Sequence, residues 1–437
     1  MVCGGKVKSN ICIFEDKDYR KLFPLTLTRP VYELRCGITS LREKIVREYS
    51  EARVSLQCRE YLSEVLAQEL REASHMNRGA DEKNYQINEV DGEARLFING
   101  RILAKRGLKE RIPVEGENKI YLSSKGELVA ARVSGKVLDT LKNYLFSSED
   151  FELSKFKERC AEEIVDIELI RYPWDLILHN SKEIEEDFFS ICKEGAIRGA
   201  IHDRATLINP QKIFVGDHTE VGPGVVLDAR EGPIYIGDNV TVFPNATIIG
   251  PAFVGSGSQI KAGAKIYEGT SIGEISKVGG EVEESIIHSY SNKQHDGFLG
   301  HSYIGSWVNL GAGTNNSDLK NNYKTVKVYI DGKLVDSGSI FVGLFMGDHS
   351  KSGINTMFNT GTVVGVACNV YGAGFPPKFI PSFSWGHTNM VEHNLEKAIE
   401  TARIVMGRRK VEMTKEYENL LRKVFELTAE ERKKVFG

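Results

Sequence analysis

Three groups of residues in this 437-residue chain have the types and spacing to do chemistry. The first is a loop-like run near the N-terminus, Arg20-Lys-Leu-Phe-Pro-Leu-Thr-Leu-Thr-Arg-Pro30, with Arg35 close behind it. Guanidinium groups in such a run suit the oxygens of a phosphate. The second is Asp175 in Tyr172-Pro-Trp-Asp-Leu176. A carboxylate there can cap the helix that begins at that point. The third is His295, followed downstream by Asn309-Leu-Gly311-Ala312-Gly313-Thr314. An imidazole exchanges protons near neutral pH, and glycines let a ligand approach the backbone closely. His349, in Gly347-Asp-His-Ser-Lys, has two readings: a second base or phosphate contact, or a turn histidine bonded to Asp348. His202, His218, His288 and His301 read as structural.

The elements that must position these groups are of two kinds. Between Ile236 and Val278 an aliphatic residue recurs every six positions: Ile236, Val242, Ile248, Val254, Ile260, Ile266, Ile272, Val278. That period belongs neither to a helix nor to an ordinary strand but to a β-helix, in which each short strand points one aliphatic into a shared core and a small residue turns the corner. The texture runs from about Phe214 to Gly374, with breaks at 281–300 and 315–338, and such interruptions are expected to emerge as loops on the binding face. The first 190 residues instead alternate strand and helix patterns. Ile11–Phe14, Val54–Leu56 and Leu96–Ile98 read as strands. Ser40–Tyr49, Tyr61–Ala73 and Val137–Leu145 read as helices, the first with a Ser N-cap. A mainly parallel sheet follows, with its ligand site at the carboxyl ends of the strands. Helices at 392–410 and 414–427 form a tail.

Composition removes several classes. A net charge of -3 gives no support to nucleic-acid or membrane-surface partners. No apolar run approaches the roughly 20 residues of a membrane span. The seven cysteines are scattered, odd in number and never spaced as CxxC, which fits reduced thiols in a cytoplasmic protein.

At two places the chain resembles bifunctional enzymes that join an N-terminal sugar nucleotidyltransferase to a C-terminal left-handed β-helix acetyltransferase. These are proteins like N-acetylglucosamine-1-phosphate uridyltransferase/glucosamine-1-phosphate acetyltransferase, and the resemblance is to a divergent branch of them. The segment Arg20–Pro30 resembles their nucleotide-binding loop, and Tyr172–Leu176 resembles a segment whose aspartate ligates magnesium. The resemblance implies that Arg20 and Arg29 act on the phosphates, with Arg35 contacting substrate, and that Asp175 holds Mg2+, Asp16 compensating for a second metal aspartate that is absent from Phe97-Ile-Asn-Gly-Arg101. The loop's glycines are replaced by Glu15-Asp16-Lys17-Asp18, and its lysine by Val31. Asn292–Thr314 aligns without gaps on the acetyltransferase segment. That implies His295 as general base, Asn309 and Phe298 at the substrate, and Gly311, Ala312, Gly313, Thr314 and His349 at the acyl donor, acetyl-CoA. Lys320 and Lys324 match lysines of a second loop that contacts substrate or coenzyme phosphates. Glu283 stands where the type enzyme has a phosphate-binding lysine.

The expected architecture is therefore an α/β nucleotidyltransferase-like domain over 1–190, a left-handed parallel β-helix of hexapeptide repeats over 196–385, and a helical tail over 386–437. The expected function is formation of a nucleotide sugar from a nucleoside triphosphate and a sugar 1-phosphate, fused to acetyl-CoA-dependent N-acetylation of an amino sugar, in a cytoplasmic homotrimer. Two alternatives stand beside it: a nucleotidyltransferase whose solenoid only trimerises it, and a non-catalytic sugar-nucleotide-binding protein.

Overall fold

The computed structural model describes residues 10–75, 85–89, 94–146, 156, 159–192 and 194–436. They fall into two compact units: the described parts of Met1–Arg20, Arg29–Leu34 and Thr39–Arg171, and those of Lys21–Thr28, Arg35–Ile38 and Tyr172–Gly437.

The first unit is built on a seven-stranded sheet. Its strands are β1 (Asn10–Phe14), β2 (Arg53–Gln57), β3 (Gln86–Ile87), β4 (Ala94–Asn99), β5 (Lys119–Leu122), β6 (Leu128–Ser134) and β7 (Ala161–Ile164), in the order β3-β2-β1-β4-β6-β5-β7. The first four run parallel; β6 is antiparallel to both β4 and β5. Strand β1 reads as a nearly continuous apolar run because both of its faces are covered: Ile11, Cys12, Ile13 and Phe14 are all fully buried. Helix α1 (Leu41–Glu48) starts where the sequence predicts, since the Ser40 hydroxyl accepts from Glu43 N–H and the Glu43 carboxylate accepts from Ser40 N–H. Helices α2 (Glu60–His75) and α3 (Gly135–Phe146) fall on the other predicted segments. The order 3-2-1-4 makes β1 and β4 the switch point, with a crevice beyond their carboxyl ends.

The second unit is a left-handed parallel β-helix with three walls. The first wall has ten strands, from Ala196–Ile197 to Phe379–Ile380. The second runs from Ala200–Ile201 to Asn292–Lys293 and is extended by Lys351–Ser352 and Asn369–Val370. The third runs from Thr206–Ile208 to Phe298–Gly300. The eight aliphatics of the six-residue period all point inward and none is more than 1% exposed, each burial contributing about 1.5–3 kcal/mol. The glycine that often follows them is required by the coil above. A Cβ on Gly255 would lie 2.6 Å from Glu274 N, and one on Gly305 2.3 Å from an Asp348 oxygen. The corner between first and second walls uses one left-handed residue per coil, including Asn239, Ile275, Tyr290, Trp307, His349 and Phe383. Turn position, rather than residue preference, dictates that conformation.

The two interruptions differ in kind. Asn315–Asn316 still pair with Met357–Phe358 of the next coil, but the rest of the 315–338 break does leave the solenoid, carrying an antiparallel hairpin, Lys327–Ile330 with Lys333–Asp336. Residues 281–300 do not, contrary to the expectation of a loop. They form wall strands Glu281–Glu283, Ile286–Ile287, Asn292–Lys293 and Phe298–Gly300. The period fails there because the coil shortens: register partners Ile260 and Val278 are eighteen residues apart, Val278 and Lys293 fifteen. Helix α4 (Pro173–Ile191) belongs to this unit, as do the tail helices α5 (Leu395–Gly407), α6 (Lys415–Leu427) and α7 (Ala429–Phe436). No helix among the described residues is long and apolar enough to cross a membrane.

Candidate functional site

The solenoid core turns polar in the coils that carry His295. On the second wall the inward series Val242, Ile260, Val278 is continued by Lys293. That lysine is 3% exposed, and its Nζ donates to the Gly279 carbonyl at 2.9 Å and to the His295 carbonyl at 3.0 Å. Burial lowers its pKa to about 8, against a smaller opposite pull from Asp296 and Glu281. Asn316 and Ser352 take inward positions nearby and are 5% exposed each. Asn316 exchanges two hydrogen bonds with Gly300, and Ser352 meets Thr314 at 2.8 Å between hydroxyls.

His295 itself is exposed at the corner between the second and third walls, its main chain held from below by Lys293. The corner is tight. Gly297 adopts φ 130°, and a Cβ there would fall 2.1 Å from the Thr314 carbonyl oxygen. The same crowding explains the Gly311-Ala312-Gly313 run, since a Cβ on Gly311 would meet the Gly353 carbonyl at 2.5 Å. These glycines are thus needed for coil stacking, whatever else approaches them. Thr314 is buried at 3% exposure and committed to Ser352. Asn309 sits half-buried on the outside of the second wall, where its side-chain oxygen lies 3.4 Å from Asn292 Nδ2. Phe298 is half-buried, with its N–H bonded to Asn315 at 2.8 Å. Lys320 donates to the Thr325 carbonyl within its own loop, and Lys324 is exposed.

Two expectations for this unit are corrected. His349 is 2% exposed, sits in the left-handed corner column, and its Nε2 lies 2.9 Å from the Tyr417 hydroxyl of α6. It is a turn histidine, as in the second reading, with Tyr417 at its ring and Trp307 stacked beside it, and Asp348 accepts from Ser306 N–H and the Thr28 hydroxyl, both at 2.8 Å. Arg35, expected at the substrate, is turned onto the first wall. Its guanidinium binds both oxygens of Glu274 at 2.9 Å, donates to the Ile38 carbonyl, and lies 4.9 Å over the Phe253 ring. Asp175 Oδ2 accepts from Tyr172 N–H at 3.0 Å, as a helix cap does.

His301, read as structural from the sequence, sits at the base of the excursion. It bonds Asp318 at 2.8 Å through Nδ1 and stacks on Phe341, with ring centroids 5.0 Å apart. Asp318 and Phe341 stand where the 317–342 excursion leaves and rejoins the walls, bridged by Leu319 and Phe341. Glu283 and Glu284 lie close by, and burial raises both carboxyls above the usual range.

In the first unit an internal cation lies just beyond the carboxyl end of β4. Arg101, 1% exposed, bonds Asp16 through Nε at 2.8 Å and Nη2 at 2.6 Å, and the Ile170 carbonyl through Nη1 at 2.9 Å. Asn99 Nδ2 adds a third donor to Asp16 at 2.7 Å. Asp18 and Glu127 stand 3.3 and 3.7 Å from the same guanidinium, and Glu127 also binds Arg171. Asp16, expected to compensate for a missing metal aspartate, is instead paired with the Arg101 guanidinium and the Asn99 amide. No cluster of three or more His, Cys, Asp or Glu suited to a metal occurs among the described residues. Arg29 is buried at 7% exposure, with its carbonyl accepting from Arg59 at 3.0 Å, whereas Arg20 is exposed.

Fold and site together define a class: an α/β nucleotidyltransferase-like domain followed by a left-handed β-helix of hexapeptide repeats and a helical tail. Residues 11–195 match the family described as sugar nucleotidyl transferase. The chain is 26% identical over 265 residues to the bifunctional protein GlmU of Bartonella quintana, covering 56% of this chain and 57% of that protein. It is 38% identical over 104 residues to the bifunctional sugar-1-phosphate nucleotidylyltransferase/acetyltransferase of Sulfurisphaera tokodaii, covering 23% of this chain and 26% of that one. A solved UDP-N-acetylglucosamine acyltransferase matches 54% of this chain and 89% of its own at 16% identity and a TM-score of 0.26. The chain spans about half the length, or less, of the curated relatives it matches.

Proposed function

We propose that the protein is a sugar-1-phosphate nucleotidyltransferase joined to an acetyl-CoA-dependent amino-sugar N-acetyltransferase, and that His295 is the general base of the second reaction. The amine nitrogen attacks the thioester carbonyl, His295 takes the N–H proton, the carbon–sulfur bond breaks, and the thiolate leaves to be protonated as free coenzyme A. The observation that carries this reading is Lys293. A core position that an aliphatic would fill is given to a cation whose two hydrogen bonds fix the main chain at His295, a cost in stability that a mere scaffold has no reason to bear. Asn309 and Phe298 would then face the acceptor, with Ala312 beside the donor and Lys320 and Lys324 toward phosphates. Purified protein should release free thiol from acetyl-CoA in the presence of an amino-sugar phosphate, and His295→Ala should abolish the release. Unchanged release in that variant removes the assignment of the base.

For the first unit, Arg20 and Arg29 are the proposed phosphate contacts, and Asp175 is the remaining carboxylate for magnesium. A second reading is favoured there by Arg101, whose guanidinium neutralises Asp16 without any ion: the unit binds a nucleotide sugar and does not transfer a nucleotidyl group. Pyrophosphate release from UTP or dTTP and a sugar 1-phosphate, dependent on magnesium and lost in Asp175→Ala, would decide for transfer. A cytoplasmic homotrimer completes the reading, supported by Cys12, Cys36, Cys58, Cys160, Cys192 and Cys368, none of which is in a disulfide, and by the solenoid fold.

A further inference from the structure

Four cations converge where the tail meets the outside of the second wall. Lys261 and Lys277 come from successive coils: Lys261 follows Ile260, the register partner of Val278, and its N–H donates to the Val278 carbonyl at 2.7 Å. Arg408 caps the carboxyl end of helix α5, Arg409 follows it, and Arg409 Nη2 donates to the Asn292 side chain at 2.6 Å. Asn292 is in turn the register partner of Lys277 and neighbours Asn309. Burial, then the proximity of Arg409, Lys261 and Arg408, lowers the pKa of Lys277, and burial and Arg408 lower that of Arg409. Among the described residues none of the four has a carboxylate partner. Every other tail arginine of α5 and α6 does: Arg403 with Glu418, and Arg422 with Glu396 and Glu418.

Like charges gathered without a counter-ion oppose folding, so a cluster of this kind needs an anion to offset it. Two ammonium groups and two guanidinium forks beside a side-chain amide match the tetrahedral oxygens of a phosphate better than a single carboxylate. The geometry points to a phosphate-binding site formed by Lys261, Lys277, Arg408 and Arg409, which the tail closes against the second wall and which takes the phosphates of a nucleotide ligand. Its position next to Asn292 and Asn309 puts it on the outer surface where the proposed acceptor amide lies. Two sources share this chemistry: the phosphorylated adenosine of the acyl donor, and the diphosphate of a nucleotide-linked acceptor. Naming those sources rests on the acyl-transfer reading; the phosphate site itself does not.

The test is binding by calorimetry to the full chain, with adenosine 3′,5′-bisphosphate and UDP as separate probes. Wild-type protein should bind at least one of them, with affinity falling as salt rises. The Arg408→Gln/Arg409→Gln double variant should lose roughly tenfold or more in affinity for that probe, since each guanidinium fork makes charge-assisted bonds. Lys261→Gln, at a half-buried position on the solenoid outside α5, where the ammonium lies 4.4 Å from the Phe243 ring centroid, provides a second variant and should lose several-fold. Preference for the bisphosphate assigns the site to the donor, and preference for UDP to the acceptor. Affinities within twofold of wild type in both variants, or no binding of either probe by wild type, would overturn the proposal. Binding that persists in a protein inactive in thiol release would sink acyl transfer and leave the phosphate site standing.

Discussion

Replacing Lys293 by methionine separates the electrostatic cost of a buried amine from its packing. The side chain sits in the stack between Val278 and the Leu310 coil at 3% exposure, so methionine conserves volume and keeps the apolar contacts. What disappears is the titration. The amine has a pKa of about 8 in the folded protein against the ordinary 10.5. A lysine whose pKa is depressed on folding makes the unfolded chain bind more protons between those two values, so stability rises as pH climbs through that window. The separation corresponds to about 3 kcal/mol at roughly 1.4 kcal/mol per pH unit. At neutral pH the variant escapes the cost of the buried charge but leaves the Gly279 and His295 carbonyls without their donor, at about 1–3 kcal/mol each, so the two proteins should melt at similar temperatures. From pH 7.5 to 10.5 the wild type should gain on the variant by about 3 kcal/mol, roughly 6 °C in a unit of this size. Scanning calorimetry of both proteins at pH 7.5, 9 and 10.5 measures this, and other groups that titrate there, such as the Cys368 thiol that burial pushes up to about 11, cancel in the difference. A melting difference that stays constant or narrows with pH would refute the argument that this amine is shielded.

Gly300→Ala should cost about 1–3 kcal/mol, because its Cβ would lie 2.5 Å from both an Asp318 oxygen and the Phe298 ring; an unchanged melting temperature would mean that the His301–Asp318 corner yields freely. Tyr417→Phe removes the partner of the buried His349 ring nitrogen and should loosen α6 by about 1 kcal/mol, read as faster proteolytic release of the tail; equal cleavage rates in variant and wild type would contradict this. Arg101→Met leaves Asp16, Asp18 and Glu127 facing one another and should destabilise the first unit by about 3–5 kcal/mol. Millimolar magnesium should restore part of that loss in the variant and add nothing to wild type; equal stabilisation of both would show that the guanidinium is not standing in an ion's place.

Much of the architecture was legible because it repeats. Eight aliphatics at one spacing define three walls, and Ser40 with Glu43 marks the start of α1 by purely local chemistry. Legibility ended where a residue's partner lies far along the chain. Arg35 finds Glu274 across 239 residues, and Asp16 finds Arg101 across 85. Nothing at Arg35 itself distinguishes an arginine that waits for phosphate from one in an ion pair, nor at Asp16 a carboxylate that waits for a metal from one that meets a guanidinium. The shortened coil was misread for a related reason: a search for aliphatics at period six treats Lys293 as a gap, although the chain keeps its wall position there and only the corners contract.

That misreading bears on how such a site can be built at all. A solenoid fixes its surface by stacking, so a loop extruded from it gains freedom and loses register. Keeping residues 281–300 in the walls, and exchanging core aliphatics for Lys293, Asn316 and Ser352, holds His295 and Asn309 at set heights on adjacent coils instead. The desolvation of one amine and a row of glycines that admit no side chain are what this rigidity costs. The excursion at 317–342 departs from the walls and is clasped at its base by His301. On the acyl-transfer proposal, the polar residues that occupy core positions are the ones at which substitution by an ordinary aliphatic should preserve the fold and lose the activity.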